Sequence, residues 1–158
     1  MTINMRCALL AVILACGCAP TFAAGEEEQA VKKVMEAYEQ AWSRHDGGAV
    51  ASFYSEPAMR VSKAGPAVRA TRADQEAFFN AFLRGLVERG YARSAWERLE
   101  VRLLDSQTAI ASGVTVRYRA DGSVFERVAV MYGLWRTADG WKIFLSATHS
   151  PDTALRFR

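Results

Sequence analysis

Between residues 26 and 44, Val31, Val34, Met35, Tyr38, Ala41 and Trp42 recur at the three-and-four spacing of one helix face, which predicts an amphipathic helix. Glu26, Glu27 and Glu28 put negative charge at its N-terminal end, where the helix dipole favours it. His45-Asp46-Gly47-Gly48 interrupts the pattern. The Asp46 side chain is suited to accept from the free backbone N–H groups of a second short helix over residues 49–54, which Pro57 ends. A brief strand is expected over residues 58–62, then a loop at Lys63-Ala64-Gly65-Pro66. Thr71 followed by Asp74 approximates a capping box for a third helix. Its stripe is Gln75, Phe78, Phe79, Phe82, Leu83, Leu86 and Val87, closed by Gly90.

From Ala92 onward the period falls to two: Leu99-Val101-Leu103, then Ile110-Ser112-Val114-Val116-Tyr118, then residues 124–135. Asp121-Gly122 and Asp139-Gly140 lie between such runs and read as hairpin turns with positive φ at both central residues, so the strands should pair as an antiparallel meander. In the late strands both alternating sets are apolar. Phe125, Ala129, Met131 and Trp135 make one, and Val124, Val128, Val130, Tyr132 and Leu134 the other. A sheet covered on one side would not need both. The final strand adds Trp141, Ile143 and Leu145 against Phe144.

The first 24 residues stand apart from this pattern. Arg6 is their only charge, residues 7–19 are small or apolar, and small residues precede a cleavage point after Ala23 or Ala24. That layout is a secretory signal, too short to span a bilayer and stopped by Pro20. It predicts an exported protein, periplasmic or secreted, with a mature domain over residues 25–158 and no transmembrane segment. Ala15-Cys16-Gly17-Cys18 leaves lipidation, and so a lipid anchor, as the alternative. All three cysteines, Cys7, Cys16 and Cys18, fall in this leader, so the domain has neither thiol chemistry nor disulfides. The net charge of +3 drops to +2 without Arg6, and its basic residues are scattered, which argues against a nucleic-acid partner. At 158 residues and 51% hydrophobic, the chain has the size and composition of one globular domain.

Helix, short helix, strand, helix and then a long antiparallel sheet is an order that resembles the nuclear transport factor two-like superfamily, with its SnoaL-like cyclase and ketosteroid isomerase branches. Residues 38–46 (YEQAWSRHD) resemble that family's first helix and terminal aspartate, residues 49–57 its second helix, and residues 139–143 (DGWKI) its last hairpin. The resemblance covers about residues 26–149. It implies an α+β fold: three helices packed in the concave face of a strongly curved, mostly antiparallel sheet, a cone-like barrel around one apolar pocket. The helices cover only the concave face, so the second apolar set of the late strands calls for a partner, and a homodimer through the convex face follows.

Isomerase chemistry needs a carboxylate base and donors for an enolate oxygen. Aligned without gaps, Tyr38 falls on that branch's oxyanion tyrosine and its basic aspartate on Ser62; with the late strand aligned on Trp135-Arg136, its protonated acid falls on Gly133. No Asp or Glu lies between Pro57 and Ala73, or between Arg127 and Ala138, so neither vacancy is rescued by a slip. Ketosteroid isomerisation is therefore disfavoured. The pocket is expected to be lined by Tyr38, Trp42, Tyr54, Ser62, Phe79, Met131 and Trp135 and to take a small apolar molecule. The same rings could equally fill the cone. Tyr38, Tyr54 and His149 are the candidates for proton transfer, should the protein be a cyclase, lyase or isomerase. A protein-binding module using the outer sheet face is the third possibility. No metal or cofactor is expected, because the only histidines, His45 and His149, lie on a helix end and a final strand, no carboxylate sits at ligand spacing beside His149, and no Gly-rich phosphate loop follows a strand.

Overall fold

The computed structural model describes residues 24–157. The leader, its cleavage site and the cysteines that would carry a lipid fall outside them, except that Ala24 opens the first helix. The elements run α1 (Ala24–Ser43), α2 (Gly47–Ser52), β1 (Tyr54–Ser62), β2 (Gly65–Arg69), α3 (Arg72–Glu88), β3 (Arg93–Leu103), β4 (Thr108–Tyr118), β5 (Val124–Thr137) and β6 (Gly140–His149). A 3-10 turn, Pro151–Thr153, follows. The six strands form one sheet in the order β2-β1-β6-β5-β4-β3. All neighbours are antiparallel except β1 and β6, which pair in parallel. The sheet is curved and open, with the helices on its concave side, so the expected α+β class and element order hold while the barrel is not closed.

Local chemistry explains the helix boundaries. Asp46 caps α2, its Oδ1 accepting from Ala49 N at 2.8 Å, and α2 begins two residues before the expected position. Thr71 and Asp74 form the capping box of α3. Gly90, at φ +98°, donates its N–H to Val87 O, and Tyr91 donates to Leu86 O, which closes the helix with a left-handed residue. The hairpins differ in detail from the expected turn. In each Asp-Gly pair only the glycine, Gly122 or Gly140, has positive φ, and Asp121 instead accepts from Ser123 N at 2.9 Å.

The region between α2 and α3 departs most from expectation. The short helix ends at Ser52, and Pro57 lies inside β1 rather than at a helix end. Gly65-Pro66, expected as loop, opens the edge strand β2. Proline costs little there: an edge strand leaves one side without ladder partners, and β1 shifts register against β6 between Tyr54 and Met59, around Pro57.

Polar side chains fasten α1 into the concave sheet. Near its N-terminus Trp141 Nε1 donates to Glu27 Oε2 at 3.2 Å, Arg136 pairs with Glu27 Oε1 at 2.6 Å, and Leu103 N donates to Glu28 Oε1 at 3.2 Å. Thus two of the acidic residues read as dipole partners are anchors. Midway, Trp96 Nε1 donates to Met35 O at 3.2 Å. The Trp96 ring lies across Gly113 of β4, where a β3 bulge brings Arg98 O close. A Cβ on Gly113 would meet Arg98 O at 2.4 Å and the indole at 2.8 Å. Gly113→Ala is therefore expected to destabilise the fold by about 1–3 kcal/mol through overpacking, read as a lower urea midpoint with an unchanged m-value.

Candidate functional site

Alternation along β4 and β5 decides what faces the helices. Val130, Tyr132 and Leu134 of β5 pair with Gly113, Ala111 and Ala109 of β4 and point inward, into the cluster that holds Tyr38 and Trp42. Met131, Gly133 and Trp135 point the other way. Met131 and Trp135, expected in the pocket, therefore lie on the convex face, where Trp135 is 43% exposed. Because both alternating sets are apolar, hydrophobicity alone could not assign their side.

The inward-facing aromatic residues meet as expected. The Tyr38 ring centroid stands 6.1 Å from Trp42 and 6.0 Å from Tyr54, Trp42 lies 5.6 Å from Phe79, and Tyr54 lies 5.1 Å from Phe79. The Tyr38 and Tyr54 hydroxyls are 2.9 Å apart and hydrogen-bonded. Ser62, at the far end of β1, is not with them; its Oγ accepts from Ala64 N in the β1–β2 turn. His149 also lies elsewhere. Its β6 neighbour Thr148 lines the interior, while His149 pairs with outward-facing Ala129 and its Nδ1 donates to Ser150 O at 3.1 Å. Of the three proton-transfer candidates, only Tyr38 and Tyr54 come together.

The rings fill most of the cone. What remains between α1 and the sheet is a crevice of about 20 Å³, and its lining is not purely apolar. Glu39, Arg60, Thr115, Arg117 and Thr148 join Tyr38, Trp42 and Tyr132 around it. Sequence reading missed the charged members. Glu39 looks like one more solvated helix carboxylate, yet it is only 7% exposed. The available signal was on β4, where Thr115 and Arg117 fall in the inward alternation of a strand otherwise made of small and apolar residues.

Electrostatics at the crevice follows from burial. Desolvation pushes the Glu39 carboxyl from its usual 4.5 up to about 7, against the opposing Thr115 hydrogen bond and Arg117 charge. Thr115 Oγ1 lies 2.5 Å from Glu39 Oε1 and 3.4 Å from Ala95 O. The Thr115 hydroxyl donates to Glu39 Oε1, with Ala95 O as its second, longer acceptor. Burial likewise raises the Tyr38 and Tyr132 hydroxyls well above the usual tyrosine range, so both remain protonated donors at neutral pH. Arg117 is nearly buried, ion-paired with Glu126, and within 5.5 Å of the Trp42 ring centroid.

Two larger concavities lie outside the cone. One of about 530 Å³ touches Ser62, Lys63, Arg127 and His149, and another of about 340 Å³ touches Glu97, Arg98 and Asp152. Both are open to solvent on the outside of the core. Among the described residues no group of His, Cys, Asp and Glu is placed to hold a metal ion, and no helix is long and apolar enough to cross a membrane.

The isomerase alignment also needs one correction. Gly133 faces the Phe144 ring on the convex side, 2.7 Å from where its Cβ would be. The interior neighbour is Tyr132, so aligning the strand on Trp135-Arg136 puts the acid position on the outward side.

A raised pKa has a sign for stability. Between about pH 4.5 and 7 folded Glu39 holds a proton that the unfolded chain releases, so stability falls as pH rises through that window. Glu39→Gln keeps an acceptor for Thr115 and removes the ionisation. It is expected to match the parent near pH 4.5 and to exceed it at pH 8, by on the order of 3 kcal/mol at most, in urea denaturation. A parallel pH dependence in parent and variant would contradict the assignment.

Comparison with known proteins adds a lineage to this geometry. The family described as NTF2-like protein (DUF6841) matches residues 26–151. No curated protein matches the sequence. Among solved structures, the chain is similar to an NTF2-like protein with a cystatin-like fold from Novosphingobium aromaticivorans, at 19% identity over 84% of this chain and 90% of that one, TM-score 0.69. It is also similar to an NTF2-like protein of unknown function from Shewanella oneidensis, at 18% identity over 77% and 98%, TM-score 0.62. A ketosteroid isomerase-like protein from Erwinia carotovora atroseptica is 19% identical over 80% and 98%, TM-score 0.60. Identities this low establish a shared fold and leave function to the site.

Proposed function

The chain belongs to the NTF2-like DUF6841 family, and we propose that it is an exported, homodimeric small-molecule-binding protein whose ligand enters the crevice between α1 and the concave sheet. One observation carries this reading: a carboxyl, two guanidinium groups and a tyrosine pair are held inside an aromatic core that structural packing alone would leave apolar. Burying such groups costs several kcal/mol each unless they are compensated, so their convergence marks a site. The ligand is small, with a polar end toward the charged groups and an apolar body against Trp42 and Tyr132. Since the crevice holds only about 20 Å³, binding requires the rings around it to part.

A second reading, a proton-transfer enzyme, is favoured by Glu39. A carboxyl poised near 7 and facing the crevice suits a general acid or base, a role that the sequence suggested for Tyr38, Tyr54 or His149. Tyr38 and Tyr54 would then position the substrate by hydrogen bonding. Ketosteroid isomerisation is not the reaction proposed, because Ser62 stands where that branch has its basic aspartate and no Asp or Glu lies between Pro57 and Ala73 or between Arg127 and Ala138.

The homodimer rests on the convex face, where Trp135 and Phe144 are 43% and 39% exposed, with Met131 beside them. The chain's own tail covers another part of that face. Ser112 Oγ donates to Leu155 O at 3.1 Å and Phe157 N donates to Glu100 Oε2 at 2.8 Å, so the proposed interface is the uncovered β5–β6 portion. Export rests on the leader sequence.

Native mass spectrometry of protein purified from its own host tests these points together. The expected species is a dimer of chains beginning near Gly25, carrying a small molecule that gentle activation releases. A monomer retaining Met1 and free of ligand would contradict the reading.

A further inference from the structure

We infer that the crevice receives a carboxylate, and that Arg60 is the group that takes it. This rests on the small-molecule reading above and adds the chemical class of the ligand. Arg60 reaches inward from β1 and lines both the main crevice and a narrower gap beside Phe79. Its guanidinium makes no ion pair or hydrogen bond among the described residues. Its guanidinium lies only over aromatic rings, 5.8 Å from the Phe78 centroid and 5.5 Å from that of Phe82. Arg117, the other crevice cation, already has Glu126.

A second cation stands close by. Arg69 of β2 sits 3.5 Å from the Phe78 centroid and lines the same narrow gap. In the β1–β2 register Arg60 faces Ala67, two residues from Arg69, so the two guanidinium groups are diagonal cross-strand neighbours. Burial lowers the Arg69 pKa, and repulsion from Arg60 lowers it further. Asp74 offsets part of the charge on Arg69, but neither guanidinium has a carboxylate in ion-pair contact, and two like charges beside one ring favour an anion between them.

Hydrogen-bond bookkeeping points the same way. Tyr38 and Tyr54 share one bond between two hydroxyls, which leaves one of their two protons for another acceptor. Tyr132 adds a third hydroxyl that itself bonds to Tyr38, so the three hydroxyls share two bonds and one proton is left over. Ser146, fully buried, pairs in register with both Arg60 and Tyr132, and its Oγ has no partner. The region around Arg60 therefore carries positive charge and spare hydroxyl donors, set against one unpartnered acceptor, Gln75 Oε1, in the narrow gap. A carboxylate supplies acceptor lone pairs, matches the planar guanidinium two-pronged, and lets an aromatic or aliphatic body lie along the rings.

The test compares benzoate with benzamide, its neutral near-isostere, by calorimetric titration of the full mature protein. Benzoate is expected to bind saturably and at least tenfold more tightly than benzamide. In Arg60→Gln benzoate should fall to the benzamide level, and in Arg60→Lys it should fall part of the way. Ligand-free Arg60→Gln should melt at or above the parent temperature, since an unpaired cation is removed, and that readout shows that the variant is folded. Arg127→Gln, an exposed control outside the crevice, should leave benzoate affinity unchanged. Equal affinity of the parent for benzoate and benzamide would overturn the inference without help from any variant. Benzoate binding undiminished in Arg60→Gln would overturn it as well. Binding of benzamide but not benzoate would remove the carboxylate inference and leave the pocket reading standing. Binding of neither, from protein that also shows no small molecule by native mass spectrometry, would remove both.

Discussion

Glu39 is taken out of water by the docking of α1, and the rest of the interior has to accommodate that carboxyl. The helix face that buries Val31, Met35, Tyr38 and Trp42 is wide enough to carry Glu39 in with it, because residues 38 and 39 are adjacent on the helix and both turn toward the sheet. Ionised and alone, such a group would cost several kcal/mol. The sheet answers with Thr115 as hydrogen-bond partner and Arg117 as nearby charge, both at inward positions of the most buried strand. Gly113 lies two residues before Thr115 on the same strand and lets Trp96 lie flat and reach Met35 O, which fixes α1 at the height where Glu39 meets Thr115. The crevice is what this docking leaves open between the helix and the sheet.

Much of this was legible in the sequence. The apolar stripes of α1 and α3 gave both helices nearly to the residue, and the Asp46 and Thr71 caps formed as their side-chain chemistry required. The Asp-Gly pairs gave the β4–β5 and β5–β6 hairpins, although glycine alone takes the positive φ. The β1–β2 hairpin was only half read, because Pro57 and Pro66 looked like breakers and edge-strand status is not visible in a local pattern. Parity failed for a different reason. With both alternating sets apolar in β5, assigning Met131 and Trp135 to a face needs the register, which bulges at Trp96/Arg98 and Gly133/Leu134 shift.

The candidate site was legible as a set of rings and illegible as a set of charges. Tyr38, Trp42 and Phe79 fall on helix stripes and were found by spacing, whereas Tyr54, expected to end the second helix, opens β1. Glu39, Arg60 and Arg117 come from three distant elements, and each taken singly looks like ordinary surface. Only the fold brings them to one crevice, where burial changes what they can do. The space left there is small and its polar groups are many, which shifts the reading from an apolar cavity toward selective recognition of a charged or hydrogen-bonding group.

The most direct test of this account is a carbon-13 NMR titration that follows the Glu39 side-chain carboxyl in the folded protein. Burial against the concave sheet predicts a midpoint near 7. A midpoint at the ordinary glutamate value of 4.5 would mean that Glu39 remains solvated, and the buried polar crevice would fall with it.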